Sequence, residues 1–150
     1  MPHSYVCCHV HYIFSTKNRQ PMITPEVRDR LFAYMGGIAR ENGMKALIIG
    51  GTDNHAHALV GLPATIEIAK AIQLIKGGSS KWARESFPSL RDFEWQEGYG
   101  AFAVSASLTD KVIKYIENQE KHHRTKTFEE EFIAMLEKCG IEYDKRYVFG

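Results

Sequence analysis

The amino-acid sequence predicts an α+β fold of the ferredoxin-like, split βαβ kind: an antiparallel sheet with helices on one face, followed by C-terminal helices. Three observations carry this expectation. Short runs rich in apolar, β-branched and aromatic residues occur four times, near residues 5–14, 44–49, 55–62 and 100–105. Between the first and second runs, and between the third and fourth, the apolar spacing changes from that of a strand to that of a helix. After the fourth run, two segments each open with a capping-box pattern. The order β-α-β-β-α-β and then two helices is the split βαβ arrangement.

Taken in order, Tyr5 to Phe14 forms the first strand, and a polar loop with Pro21 follows. Thr24-Pro25 supplies an N-cap and a first-turn proline, and Val27, Leu31, Tyr34, Met35 and Ile38 recur at helical spacing until Asn42-Gly43. Met44 to Ile49 is the second strand, Gly50-Gly51 a turn, and His55 to Leu62 the third strand, which makes a hairpin. From Thr65, Ile66, Ala69, Ile72 and Ile75 mark a buried helix that frays at Gly77-Gly78, and Ser79 to Glu97 reads as an irregular connection. Gly100 to Ser105 is the fourth strand. Ser107-Leu108-Thr109-Asp110 opens a helix running to about His122, and Thr127-Phe128-Glu129-Glu130 opens another that places Phe128, Phe132, Met135 and Leu136 on one side before Gly140.

The chain has 150 residues, 44% hydrophobic and 25% charged, as expected of one domain over residues 1–150 with a real core. No apolar stretch approaches the ~20 residues of a membrane span, and the N-terminus lacks the basic-then-apolar pattern of a signal peptide. A cytoplasmic protein with no membrane association is expected. Cys7, Cys8 and Cys139 form neither a disulfide framework nor a spaced zinc set and are expected to be reduced and structural. The net charge is only +1, but it is unevenly spread: residues 1–84 hold 10 Lys/Arg against 5 Asp/Glu, and residues 85–150 hold 9 against 13. A basic phosphate-binding face is therefore permitted.

His55-Ala56-His57 opens the third strand, where residues two apart point to the same side, so both imidazoles can reach one ion. His9-Val10-His11 has the same spacing on strand one and, with Cys7, competes for that role. Tyr115 and Gln119 lie four apart on one helix face, with His122 a turn further. Spacing alone leaves open ordinary strand histidines and a rim tyrosine. Chemistry gives a reason to combine the pairs. A phenol with a pKa of about 10 is protonated at neutral pH, and a divalent ion beside it can polarise a phosphodiester and neutralise developing charge. The amide oxygen of Gln119 can add a ligand without adding charge.

These motifs make the chain resemble, over nearly its whole length, the single-tyrosine HUH transposases of small single-strand-DNA insertion sequences, where U is a hydrophobic residue. The resemblance runs through Phe14-Ser15-Thr16-Lys17-Asn18-Arg19, Gly51-Thr52-Asp53-Asn54-His55-Ala56-His57, Trp95-Gln96-Glu97-Gly98-Tyr99-Gly100, Tyr115-Ile116-Glu117-Asn118-Gln119 and His122-His123. It implies that His55 and His57 are the metal pair, Gln119 the third ligand, and Tyr115, on the first C-terminal helix, the nucleophile. It implies Mg²⁺ or Mn²⁺ as cofactor and transesterification through a 5′-phosphotyrosine. It also implies single-stranded DNA with hairpin ends as substrate, and a homodimer whose sites are completed across the interface. Lys17, Arg19, Lys76 and Lys81 are candidate DNA contacts. Asp53 is expected to serve the turn before strand three.

Three rival readings remain distinct. The first is a metal-dependent nuclease or nucleotide hydrolase in which water replaces tyrosine; a histidine-triad hydrolase needs a third alternating histidine where Leu59 stands. An RNA-recognition domain of the same architecture needs an aromatic signature on a central strand, which is not visible. A domesticated relative that cuts genomic repeats has the same site.

Overall fold

The computed structural model describes residues 3–123 and 125–150. Four antiparallel strands, β1 (His9–Ser15), β2 (Lys45–Gly51), β3 (His55–Gly61) and β4 (Gly100–Val104), form one sheet in the order β2-β3-β1-β4. This is the predicted α+β class. Helices α1 (Pro25–Glu41) and α2 (Ile68–Ser86) cover one face. Helices α3 (Thr109–Glu117), α4 (Gln119–His122) and α5 (Phe128–Lys138) follow β4 and lie on the other. The C-terminal helices thus close the second face of the sheet.

Strand alternation decides which residues each face receives. Val10, Tyr12 and Phe14 of β1 and Ala56, Ala58 and Val60 of β3 point into the main core. There they meet Val27, Leu31, Met35 and Ala39 of α1 and Ala71, Ile72 and Ile75 of α2. The intervening residues point the other way. Ile13 and Phe102 pack with Phe128, Phe132 and Leu136 of α5 in a smaller cluster. His11, His55 and His57 lie on this second face and are almost completely buried.

Several element boundaries differ from the sequence expectation, each for an identifiable reason. Strand one starts at His9 rather than Tyr5, because pairing with β3 ends at His9↔Gly61 and with β4 at His9↔Val104; Tyr5 to Cys8 are exposed. The glycines at 50–51 are not the hairpin turn but the end of β2, and residues 52–54 make the return. A Cβ at Gly51, whose φ is 154°, would lie 2.2 Å from the His55 carbonyl oxygen, so a side chain there is excluded where the chain turns back into His55.

Helix α2 starts at Ile68 rather than Thr65 and continues through Gly77-Gly78 to Ser86, absorbing the first part of the expected irregular connection. Packing overrides local propensity here. The buried stripe continues through Ser79 and Ala83, and a Cβ at Gly78 would approach Ile38 Cδ1 of α1 to 2.8 Å, so the glycine permits the helices to meet closely. The following segment is anchored by Leu90, Phe93 and Trp95, with Trp95 Nε1 donating to Ser79 Oγ at 3.0 Å.

The expected capping box at Ser107–Asp110 does not form. Residues Ala106–Leu108 make a 3₁₀ turn, Leu108 occupies the N-cap, and Ser107 Oγ bonds Ser105 Oγ instead. The single helix expected to His122 breaks at Asn118 (φ −99°, ψ 23°), so Tyr115 and Gln119 sit on α3 and α4 respectively. The second box is present: Thr127 Oγ1 accepts from Glu130 N, and the Glu130 side chain accepts from Thr127 N. The three cysteines are free, as expected, but exposed, so they are not the structural residues expected from sequence. Among the described residues no helix is long and apolar enough to cross a membrane.

Candidate metal and nucleophile site

The second face of the sheet carries a buried polar cluster of four residues from three elements. His55 and His57 come from β3, Gln119 from α4 and Glu131 from α5; their exposures are 0%, 0%, 1% and 3%. His55 and His57 share a face because they are two apart on a strand, as the sequence predicts. Their imidazoles and the Glu131 carboxylate form a group able to hold one metal ion.

The donor atoms converge. His55 Nε2 lies 2.9 Å from Gln119 Oε1 and 3.6 Å from Glu131 Oε1, and His57 Nε2 lies 3.1 Å from Glu131 Oε1. Adjacent ligands around a cation with bonds of about 2.1 Å are about 3 Å apart, so this spacing fits one coordination shell. Tautomers strengthen the fit. His55 Nδ1 lies 2.9 Å from both Asn54 Oδ1 and Thr52 Oγ1, and with Thr52 Oγ1 donating to Asn54 Oδ1, Nδ1 is held as the N–H donor. His55 Nε2 then presents a lone pair. Gln119 Nε2 donates to Glu131 Oε2 at 3.2 Å, which turns the amide so that its oxygen faces that lone pair. With its hydrogen on Nδ1, His55 can offer Nε2 and Gln119 its Oε1 to one cation.

Burial first, and then the neighbouring His57, push the His55 imidazole down to about 3, so it is neutral and ligand-competent. Burial alone would raise Glu131, but hydrogen bonds from His123, His57 and Tyr115 outweigh it and hold the carboxyl well below its ordinary range. Glu131 therefore brings a full negative charge to the cluster.

Tyr115 belongs to the same cluster. Its hydroxyl donates to Glu131 Oε2, and its ring centroid is 5.9 Å from that of His57. Burial, followed by the hydrogen bond to Glu131 and its charge, raises the phenol above its ordinary value. His123 Nε2 lies 3.2 Å from Glu131 Oε1. The side chain of His122, which extends the stripe expected from sequence, lies outside the described residues. A cavity of about 270 Å³ opens beside Tyr115, lined by Leu108, Lys111, Val112, Met135 and Lys138 as well as His11.

The four candidate DNA contacts are used unevenly. Lys76 Nζ donates to the Gln96 and Gly98 carbonyls at 2.8 and 2.7 Å, and burial lowers it to about 8. Arg19 donates to the Phe149 carbonyl at 3.0 Å and pairs with Glu129 at 3.5 Å. Lys17 makes an exposed pair with Glu94 at 3.2 Å. Lys81 is exposed on α2. The carbonyl of Asp53 accepts from Ile23 N at 2.9 Å.

Sequence reasoning missed Glu131. It lies in a run of three glutamates, and the only pattern visible there is the capping box, which uses Glu130. Only the packing of Phe128, Phe132 and Leu136 against the sheet reveals that Glu131 points inward. His11 was set against His55 and His57 as a competitor, whereas it stands beside them: His11 Nε2 is 2.8 Å from His57 Nδ1.

A split βαβ sheet with a histidine pair facing a helical tyrosine defines the HUH class of single-tyrosine transposases. The sequence pattern of the family described as "Transposase IS200 like" matches residues 4–119, and the chain belongs to that family. Several solved structures are similar, and two of them illustrate the likeness. One is a candidate transposase from Deinococcus radiodurans R1, with 28% identity and a TM-score of 0.64, covering 77% of this chain and 94% of that one. The other is a REP-associated tyrosine transposase bound to a REP hairpin, with 15% identity and a TM-score of 0.60, covering 80% of this chain and 71% of that one. No curated protein sequence matches at a significant level. Glu131 and α5 lie beyond the matched residues.

Proposed function

We propose that this member of the family, acting as one domain over residues 1–150, cleaves and rejoins single-stranded DNA at insertion-sequence ends through a 5′-phosphotyrosine on Tyr115. The observation that supports it most is the meeting of Tyr115, His55, His57, Gln119 and Glu131 within one chain. His55, His57 and Glu131 hold a divalent ion, Mg²⁺ or Mn²⁺, with the Gln119 oxygen as a further ligand. The mixed nitrogen and oxygen set makes Mn²⁺ chemically comfortable. When bound, the ion polarises the scissile phosphate and neutralises charge that builds up on it.

The chain's own groups do the rest. Glu131 Oε2 orients the Tyr115 hydroxyl and, with the phenol raised and the carboxyl depressed, leaves the proton on Tyr115 in the resting state. In cleavage, Tyr115 Oη bonds to phosphorus as the bond to the upstream O3′ breaks, and the phenol proton is lost while the leaving oxygen becomes a 3′-hydroxyl. The phosphotyrosine conserves the bond energy, so a 3′-hydroxyl can reverse the step on another strand without ATP.

The fold likeness to a protein bound to a REP hairpin supports hairpin-bearing DNA as the partner. Lys111 and Lys138, at the cavity beside Tyr115, are better placed for phosphates near the reacting atom than Arg19 or Lys76, which serve internal contacts. The assembly of the cluster within one chain supports Tyr115 acting in cis; a homodimer whose sites are completed across the interface is the arrangement that the family resemblance implies. The same site serves a domesticated enzyme that cuts genomic repeats, and flanking hairpins around the gene separate that reading from mobilisation.

The test is cleavage of an end-containing oligonucleotide with Mn²⁺. Wild type yields a protein-linked product, and both Tyr115→Phe and His57→Ala abolish it. Free cleaved ends that persist in Tyr115→Phe would replace the transposase reading with a metal-dependent nuclease. Unchanged DNA binding in His57→Ala, with no metal-dependent cleavage by wild type, would leave a binding module.

A further inference from the structure

We propose that His11 is a positioning residue that fixes the tautomer and ring plane of His57, an inference that rests on the metal role proposed for His57. Register places it there: Ile13 pairs with His57 and His11 with Leu59, so His11 is the diagonal neighbour of His57 on the second face of the sheet. The Nε2 to Nδ1 distance is 2.8 Å, and the ring centroids are 5.0 Å apart at 31°. Both side chains are buried, at 3% and 0% exposure. The His11 ring also meets that of Tyr115 edge-on, with centroids 6.5 Å apart.

The chemistry follows from counting protons. A nitrogen-to-nitrogen hydrogen bond needs one N–H and one lone pair. Without a cation, His57 Nε2–H donates to Glu131 Oε1 at 3.1 Å, its Nδ1 carries the lone pair, and His11 Nε2–H donates to it. When Nε2 serves as a ligand its lone pair is committed, so Nδ1 bears the hydrogen and donates to His11 Nε2. His11 then carries its hydrogen on Nδ1. The contact therefore persists in both states with its direction reversed, which a carboxylate, an acceptor only, could not provide. A neutral imidazole also leaves Glu131 as the negative charge of the cluster. The twin residue His9 does something else: its Nδ1 lies 2.9 Å from Thr109 Oγ1, tying β1 to the start of α3.

Outer partners of metal-binding histidines are worth ~10–100-fold in metal affinity. Mn²⁺ titration of the purified protein, followed by the loss of the free-ion paramagnetic signal, should show His11→Phe weakened by ~10–100-fold. His11→Gln, which returns an acceptor at the same reach, should recover most of that loss. A residue that only fills space would give the opposite order, with phenylalanine tolerated and glutamine not. Nitrogen-15 spectra of the Mg²⁺-loaded wild type should show His11 protonated at Nδ1 and His57 protonated at Nδ1, with scalar coupling across the shared hydrogen. Unchanged Mn²⁺ affinity in His11→Phe, or His11 protonated at Nε2 in the Mg²⁺-loaded protein, overturns the inference while leaving the metal site intact. Absence of Mn²⁺ binding in wild type overturns the metal reading itself, and this inference with it. If His11→Phe fails to fold, the glutamine variant and the wild-type spectra still decide.

Discussion

Replacing Glu131 with glutamine probes the cluster at the residue that sequence alone could not reveal. Glu131 Oε1 receives His57 Nε2 at 3.1 Å and His123 Nε2 at 3.2 Å, while Oε2 receives Gln119 Nε2 at 3.2 Å and the Tyr115 hydroxyl. A carboxylate accepts at both ends. An amide does not, so whichever way Glu131→Gln is turned, its NH₂ faces one pair of donors. Hydrogen bonds to a charged group are worth about 1.5–3 kcal/mol each, and some relaxation is expected, so a loss of about 2–4 kcal/mol is reasonable. For a chain of this size that lowers Tm by roughly 5–15 °C. Removing a charged ligand should also weaken Mn²⁺ by at least ~10–100-fold. Thermal unfolding with and without Mn²⁺ measures both effects. At 100 times its Kd the ion stabilises wild type by about 2.7 kcal/mol, and at that same concentration the variant should gain no more than about 1.4 kcal/mol. A variant with wild-type Tm and the full Mn²⁺-dependent gain would refute Glu131 as both structural acceptor and ligand.

The remaining predictions use other parts of the site. His11 and His55 are each pushed down to about 3, first by burial and then by His57, so the unfolded chain binds more protons than the folded one below pH ~6.5. The stability they contribute is complete above that pH and lost as pH falls towards 3. The metal-free unfolding free energy should decline by up to about 1.4 kcal/mol per pH unit for each histidine, and a flat profile between pH 6.5 and 4.5 in denaturant titrations would count against their neutral burial. Alkaline spectrophotometric titration should find the Tyr115 phenol above the ordinary tyrosine range and lower in Glu131→Gln, because an adjacent anion opposes its ionisation; no downward movement would mean that the contact with Glu131 is not made in solution. Gly51→Ala should cost at least about 1–3 kcal/mol and also weaken Mn²⁺ binding, since its Cβ would collide with the His55 carbonyl; intact metal affinity would show that the turn does not set His55.

Much of the site is legible in the sequence because its signals are local. Strand alternation alone puts His55 and His57 on one side, and the ordered family motifs supply Tyr115 and Gln119. The break at Asn118 is not legible: nothing in Tyr115-Ile116-Glu117-Asn118-Gln119 forbids a continuous helix, yet the chain turns there so that α4 delivers Gln119 to His55. Glu131 and His11 are invisible for a different reason. Their roles depend on contacts between residues distant in the chain, Glu131 through the docking of α5 and His11 through the β1–β3 register. The extension of α2 through Gly77-Gly78 has the same origin, since the partner that makes those glycines useful is Ile38 on another helix. Charge content does not show which cations the fold itself engages: Arg19 and Lys76 look solvent-facing in sequence but donate to backbone carbonyls.

The central claim is that the Tyr115 phenol becomes covalently joined to DNA, and tandem mass spectrometry of the trapped protein–oligonucleotide species reads this directly. Incubation with Mn²⁺ and a single strand carrying the element end, followed by nuclease and protease digestion, should leave a nucleotide 5′-phosphate on the peptide containing Tyr115 and on no other tyrosine. A phosphate linkage elsewhere, or complete cleavage with Tyr115 unmodified, would contradict the account.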